Sequence, residues 1–565
     1  MVVAVAPIID HQNLRTLKPN VAFWAGIGAS PYEERQISRN VDAIQLILLD
    51  TGEDMAEPQH TLDCDVLIVG GGINGAGIAR DAAGRGLSVV LCEKDDLASH
   101  TSSASTKLIH GGLRYLEYYE FNLVRKALIE RETLLRCAPH IMWPMRFVMP
   151  HAKGQRPALL IRAGLMLYDL LAKRELLPAS AGIRLRCHPA GKPLKPEFQR
   201  GFIYSDGWVD DSRLVVLNAI DASERGATIL TQAVCNSLVR KAADWEATLY
   251  KPSCGNIRVN ARYVVNAAGP WTADLLHATL PKEGGGHLRL IKGSHIVVKR
   301  IFEHDNAYIF QHPDGRIVFA IPYERDFTLI GTTDLDYHGD VDQVAISADE
   351  IAYLCQLASH YFVKPIVPAD VVWSFSGVRP LVEDGADAKA VTRDYRLEVD
   401  SDGPPMLSVF GGKITTFRKL AEEAVDLIAK SLDNRQGGWT HNACLPGGDL
   451  FGAEPTNKSV LQFDAWVRTM QARYAWLPPL LVLRYARAYG TRIHTLLCDR
   501  GELADMGEQI APGLYATEVE YLRRYEWART AQDILWRRSK LGLHLPPDTA
   551  DVLQAWLNAN PMQRT

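Results

Sequence analysis

The apolar run Val66-Leu-Ile-Val69 leads directly into Gly70, Gly72 and Gly75, the GxGxxG spacing, and no other feature constrains the fold of this chain as much. A strand that ends this way must turn sharply into a helix whose first amides face an anion. Gly70 permits the turn, Gly72 lets the backbone approach a diphosphate, and Gly75 lets the helix pack closely on the strand. The spacing alone is a weak signal. Here a second apolar stretch, Leu87 to Cys92, follows and ends in Glu93, eighteen residues after Gly75, where an acid reads ribose hydroxyls. Strand, glycines, helix and acid come in the order of a dinucleotide-binding βαβ unit. An ordinary glycine-rich turn has no use for the acid.

The chain has 565 residues, 47% of them hydrophobic, which is too much for one compact domain and predicts two or three. A net charge of −4 gives no bulk basic surface for nucleic acid. Nine cysteines are scattered without a CxxC pair. That argues against a zinc site or a disulfide framework and fits a reduced cytosol; no metal is expected. No run approaches the roughly 20 apolar residues that a membrane-spanning helix needs. The segment from Pro157 to Arg174 is nonetheless strongly apolar, with Lys153, Arg156, Arg162, Lys173 and Arg174 around it. A helix lying on an anionic membrane surface and a buried core helix both fit that composition.

Residues 1–60 carry neither a secretory signal nor an Arg-rich transit helix and read as a poorly ordered extension. Met55 stands just before the first strand, so residues 1–54 read as a start-site extension. Residues 61–430 read as the dinucleotide-binding part with its associated sheet. Within it, Tyr263-Val-Val-Asn-Ala-Ala-Gly269 predicts a late strand returning to the nucleotide sheet. Ile317–Ile321 and Phe327–Ile330, separated by the polar turn 323–326, predict an antiparallel sheet walling a substrate cavity, drawn mainly from residues 140–260 and 285–395. A second glycine-bearing strand-to-helix turn spans Leu407 to Leu420. After a Gly/Pro linker at Leu445–Gly448, residues 440–550 predict an all-helical cap, with Leu522, Tyr525, Ala528, Ala531 and Leu535 on one helix face.

The blocks Gly70–Ala79, Thr101-Ser-Ser-Ala-Ser-Thr-Lys-Leu-Ile-His-Gly-Gly-Leu-Arg-Tyr-Leu-Glu117, Ile291–Val298, Gly331-Thr-Thr-Asp334, Ser376-Gly-Val-Arg-Pro380 and Phe410-Gly-Gly-Lys-Ile-Thr-Thr416 resemble the FAD-dependent glycerol-3-phosphate dehydrogenases. The likeness runs from about residue 62 to about residue 545. The absence of EF-hand loops and the run Arg537-Arg-Ser-Lys540 bring it close to the aerobic bacterial form. The resemblance implies an α/β fold with a Rossmann-like FAD-binding domain of the two-dinucleotide flavoprotein type, an antiparallel substrate sheet and a C-terminal helical cap. It also implies oxidation of sn-glycerol 3-phosphate to dihydroxyacetone phosphate, with electrons passing through FAD to a membrane quinone. Peripheral attachment to the cytoplasmic face of the inner membrane and a homodimer belong to the same implication.

By that resemblance, Gly70, Gly72, Asn74, Gly75, Glu93, Ser102, Ser103, Lys107, Ala268, Gly269, Gly412, Lys413 and Thr415 bind the cofactor. Arg114, Tyr115, Arg379, Arg393 and Lys413 take the substrate, because planar guanidinium forks suit a phosphate dianion and Lys adds a point charge. His110 and His295 are the candidate proton acceptors, with Lys413 and Arg379 stabilising charge at the reacting oxygen. Two rivals share the glycine motif. An amine- or hydroxy-acid-oxidising flavoenzyme, such as a glycine or sarcosine oxidase relative, would bind a carboxylate and need no helical cap. A non-catalytic flavin-binding sensor would keep the fold without the chemistry.

Overall fold

The computed structural model describes residues 60–152, 155–280, 288–311, 316–382 and 394–562. The start-site extension and Arg393 therefore lie outside the described residues. The strand His60–Val69 pairs in parallel with Val89–Cys92 on one side and with Gly255–Asn266 on the other. The late strand, Tyr263 to Asn266 within Gly255–Asn266, thus returns to the nucleotide sheet, and Met406–Phe410 pairs in parallel with its other side. In this sheet alternation along the first strand is strict: Val66 and Ile68 enter the core beneath the Ile73–Gly84 helix, while Leu67 enters a second core on the opposite face with Val90, Trp245 and Ala247. Both faces are covered, which is why the strand reads as continuously apolar.

The helices Ile73–Gly84, Asp211–Glu224 and Phe417–Ser431 pack together over the first face. A second sheet is built around Leu288–Lys299, which runs antiparallel to Val371–Val382 and to Phe327–Gly331. The predicted hairpin is present, with Tyr323 paired to Phe327 and Phe319 to Gly331. Its register sets Ile291 opposite Arg379 and His295 opposite Phe375. The sheet is pinned from behind by the buried Glu350 carboxylate, which accepts from Ser294 Oγ at 2.7 Å and Thr333 Oγ1 at 2.9 Å and pairs with Lys292 at 2.7 Å.

The C-terminal part is mainly helical around its own core, with one short hairpin, Gln509–Ala511 against Leu514–Tyr515, that an all-helical cap would lack, and the proposed single helix face is also corrected. Leu522, Ala528, Ala531 and Leu535 are all buried in one cluster with Tyr525 against it, yet the helix Ala516–Tyr525 stops and a new one forms around a π-helical turn, Asp533–Arg538. Trp527 adopts φ +57°, and Asp533 accepts from the amides of Arg529 and Thr530 to start the new turn. Glu526, buried at the break, pairs with Arg213 of the dinucleotide-binding part. Periodicity identified the buried residues. It could not see the break.

The apolar segment near residue 160 forms the helix Ala158–Leu170, and only Leu165 and Tyr168 on it are buried. Leu159 is 84% exposed, Leu160 61%, Met166 57% and Leu170 68%. A core helix is thereby excluded. Among the described residues no helix is long and apolar enough to cross a membrane.

Candidate functional site

The glycine turn forms a cradle that side chains would fill. A Cβ on Gly70 would lie 2.4 Å from the Ala267 carbonyl oxygen, and one on Gly75 would lie 1.9 Å from the Gly70 carbonyl oxygen. Gly72, at the helix N-cap, faces only Ser102 Oγ, so the backbone there is open to a ligand. Ser102 Oγ accepts from the Ile73 amide at 3.0 Å, tying the 101–103 turn to the helix start. The remaining first-turn amides have no intrahelical acceptors and carry the positive end of the helix dipole.

A cavity of about 260 Å³ opens beside this cradle, lined by Gly70, Gly72, Cys92, Glu93, Ser102 and Ala268 among others. Gly269 also lines it and takes φ +59°, which glycine accommodates without strain. Glu93 accepts from the Gly71 amide at 2.6 Å and the Asp95 amide at 2.9 Å, so the acid predicted for ribose is locked to the glycine turn itself. Burial pushes its carboxyl pKa up. Asp95 also pairs with His100 at 2.7 Å.

The second glycine turn meets the first. Asn74 Nδ2 donates to the Gly411 carbonyl at 3.2 Å while its Oδ1 is buried without a protein partner. Gly411 and Gly412 have φ +75° and +100°, and a Cβ on Gly412 would press on the Asn74 amide. Thr415 Oγ1 accepts from the His110 amide at 3.3 Å. Lys413 Nζ stands 4.0 Å from the Tyr115 ring centroid. Arg114 and Tyr115 lie on the 3-10 turn Leu113–Tyr118, and Arg114 forms no ion pair among the described residues. Tyr168, from the outward-facing helix, pins this loop: its hydroxyl accepts from the Gly111 amide at 2.8 Å and donates to Asp206 at 2.7 Å.

Arg379 reaches the same region from the antiparallel sheet. Its fork is held by Asp334 at 2.5 Å and Thr332 Oγ1 at 3.0 Å, and Gly293 clears the space, since a Cβ there would meet Nη2 at 2.4 Å. Any anion reaching this guanidinium would share it with a carboxylate. Arg379 and the Lys413 turn adjoin through Pro380, whose carbonyl faces Gly411.

Two of the expected site residues are buried. His295 is wholly buried, stacked on Phe375 at 4.7 Å, with Nε2 3.0 Å from Thr106 Oγ1 and Nδ1 without a partner. Burial, with Arg379 and Lys107 nearby, holds its pKa well below the usual imidazole range. Its side-chain contacts are with Thr106 and Phe375, so in this structure protein encloses the ring. Lys107 is likewise fully buried: Nζ donates to both Asp211 carboxylate oxygens and to the Ser103 carbonyl, each at 2.8 Å. It supports the loop from behind, as Ser103 Oγ does by bonding the His100 carbonyl at 3.3 Å. Thr106, Tyr168, Asp211, Thr332 and Asp334 complete the constellation. None had a local signal as a partner; only Thr106, Thr332 and Asp334 sat inside quoted blocks.

The family model described as FAD dependent oxidoreductase matches residues 65–418, and that of the C-terminal domain of alpha-glycerophosphate oxidase matches 439–559. The chain belongs to the FAD-dependent glycerol-3-phosphate dehydrogenase family. It is 52% identical to the glycerol-3-phosphate dehydrogenase of Pseudomonas aeruginosa over 88% of this chain and 96% of that protein. It is 48% identical to the D-erythritol 1-phosphate dehydrogenase of Brucella abortus, over 90% and 99%. The glycerol-3-phosphate dehydrogenase of Bacillus halodurans, solved with FAD, superposes with a TM-score of 0.68 at 27% identity, covering 89% of this chain and 91% of that one. FAD is the cofactor of this flavoprotein, and the open glycine cradle, the buried Asn74 Oδ1 and the cavity beside Glu93 suit its diphosphate and adenosine.

Proposed function

We propose that the flavoprotein oxidises sn-glycerol 3-phosphate to dihydroxyacetone phosphate and passes the electrons to a quinone. What supports this is the meeting of the two glycine turns, where Lys413 lies against Tyr115, Thr415 Oγ1 accepts from the His110 amide, and the carbonyl of Pro380, next to Arg379, faces Gly411. FAD, when bound, supplies the hydride acceptor. Arg114 and Arg379 clamp the phosphate, the latter exchanging part of its bond to Asp334 for phosphate oxygens. His110 accepts the hydroxyl proton, and Lys413 stabilises negative charge on the same oxygen. His295 holds Thr106 from the core and so positions the 101–107 loop. Gly70, Gly72, Gly75 and Glu93 hold the adenosine diphosphate half; Ala268, Gly269, Gly412 and Thr415 border the flavin half.

Because the Brucella relative acts on a longer phosphopolyol, both substrates belong in the test. Anaerobic glycerol 3-phosphate should bleach the flavin absorbance, and a short-chain quinone should restore it. D-erythritol 1-phosphate, by a lower kcat/KM, ranks second. Bleaching by glycine and not by either phosphate would overturn the reading.

The exposed Leu159, Leu160, Met166 and Leu170, with Tyr119 on the neighbouring loop, support peripheral attachment at the inner membrane face, and a homodimer belongs to the same reading. Arg156, paired to Glu117, fastens this helix to the 3-10 turn bearing Arg114. The double change L160E/L170E should abolish sedimentation with anionic vesicles at unchanged flavin content. Retained sedimentation would reject this surface.

A further inference from the structure

The segment from Glu93 to Ser103 is tied to the glycine turn at three points. Glu93 accepts from the Gly71 amide at 2.6 Å, the Ala98 amide donates to the Gly71 carbonyl at 3.3 Å, and Ser102 Oγ accepts from the Ile73 amide at 3.0 Å. Between these ties the C-terminal helical part takes hold of it. Asp96, 6% exposed, accepts from Arg537 Nε at 2.7 Å and from Arg538 Nη1 and Nη2 at 2.8 and 2.7 Å. Arg538 is itself buried, and its Nη2 also donates to the Glu526 carbonyl at 2.6 Å. Arg537 pairs with Asp533, the carboxylate that starts the π-helical turn. A cavity of about 260 Å³ lies beside this contact, lined by Ser99, His100 and Thr101 of the segment and by Trp536, Arg537 and Lys540 of the helical part. Ser99, His100 and Thr101 line the dinucleotide cavity as well. They form a wall shared by two cavities, so packed side chains back it poorly there.

We propose that Asp96, Arg537 and Arg538 are positioning residues for FAD: the C-terminal helical part clamps the wall of the dinucleotide cavity through them, and FAD leaves when this clamp opens and the wall yields into the second cavity. Asp96 and Arg538 are shielded from water, so losing either partner strands a buried charge and the clamp opens rarely. The clamp acts on Ser99 to Ser102, next in the chain to Asp96, and through Ser102 on the first amides of the Ile73–Gly84 helix. The helical part thereby serves cofactor retention, a task separate from recognising the substrate. The inference rests on FAD as the cofactor and stands or falls independently of the substrate reading.

FAD release from the full-length holoprotein is timed by the rise in flavin fluorescence on dilution, well below the unfolding temperature. Asp96→Asn should speed release by about 10–150-fold, the range of one charge-assisted hydrogen bond. Arg537→Met leaves Arg538 on Asp96 and should speed it by about tenfold; this variant carries the test if D96N protein does not fold. The double variant D96N/R537M should release FAD no faster than D96N, since both changes act through one contact. The rise in Tm that a fixed excess of FAD gives should shrink in each, because weaker binding stabilises less. Arg492→Met breaks a different contact of the helical part, to the half-exposed Glu224, and should leave release within about twofold of the parent. A purely structural role would lower the Tm of the apoprotein and leave the release rate alone. The proposal is overturned if folded D96N or R537M protein releases FAD at the parent's rate, if the two changes multiply in the double variant, or if R492M speeds release as much as R537M does.

Discussion

Replacing Lys107 with methionine removes a cation from a site where water cannot replace it. Lys107 and Asp211 are both 0% exposed, and three bonds of 2.8 Å leave Nζ, two to Asp211 and one to the Ser103 carbonyl. In the variant Asp211 keeps Ser105 Oγ at 2.7 Å and the Ser212 amide at 2.9 Å, but its charge has lost its counter-ion. Breaking one side of a buried pair costs about 3–5 kcal/mol. With roughly 500 residues unfolding together, an unfolding entropy of about 1 kcal/mol/K turns this into a fall in Tm of about 3–5 °C. The loop bearing Ser102 and Ser103 is also released, so flavin content should drop with it. The double variant K107M/D211N removes both charges and should recover most of the loss, since an uncharged pair leaves no orphan ion. Tm read from flavin fluorescence on release checks all three proteins. If K107M keeps its Tm within about 1 °C and its full flavin content, the pair does not hold the loop and the reasoning from burial fails.

Arg114→Ala should raise KM for the phosphopolyol by about 10–150-fold, the equivalent of a charge-assisted hydrogen bond of about 1.5–3 kcal/mol, and Arg114→Lys should recover only part of it; steady-state kinetics decides. Gly75→Ala forces the helix away from the Gly70 carbonyl, 1.9 Å from the new Cβ, and should weaken FAD binding by about 100-fold in a fluorescence titration. His140, wholly buried, has its pKa lowered to about 3 by burial, with Arg213 and Arg487 adding. The unfolded chain therefore takes up that proton first, so stability present above pH ~6.5 is lost at about 1.4 kcal/mol per pH unit as pH falls toward 3. His140→Leu should flatten that part of the stability–pH curve, seen by thermal melts between pH 7 and pH 5.

The βαβ opening, the late return strand, the hairpin around 323–326 and the helical C-terminal core were legible because each depends on neighbours within a few residues: apolar period, turn glycines and a closing acid. The glycines of the cradle could be named in advance for the same reason, since close backbone approach is demanded locally. The site was legible only through whole motif blocks. His295 and Lys107 sit inside such blocks, yet whether a side chain faces a ligand or the core is set by what packs on it, here Phe375 from 80 residues away and Asp211 from 104. The apolar helix at 158–170 shows the same limit from the other side: its composition suited core and surface alike, and only the placement of Tyr168 against Asp206 turned Leu159 and Leu170 outward. Beside the break at Trp527, Glu526 pairs with Arg213, 313 residues away in sequence. Local pattern determined which elements form and where backbone must come close. Burial and charge pairing between distant segments, which depend on the assembled core, decided which titratable groups meet a ligand and which only hold the others in place.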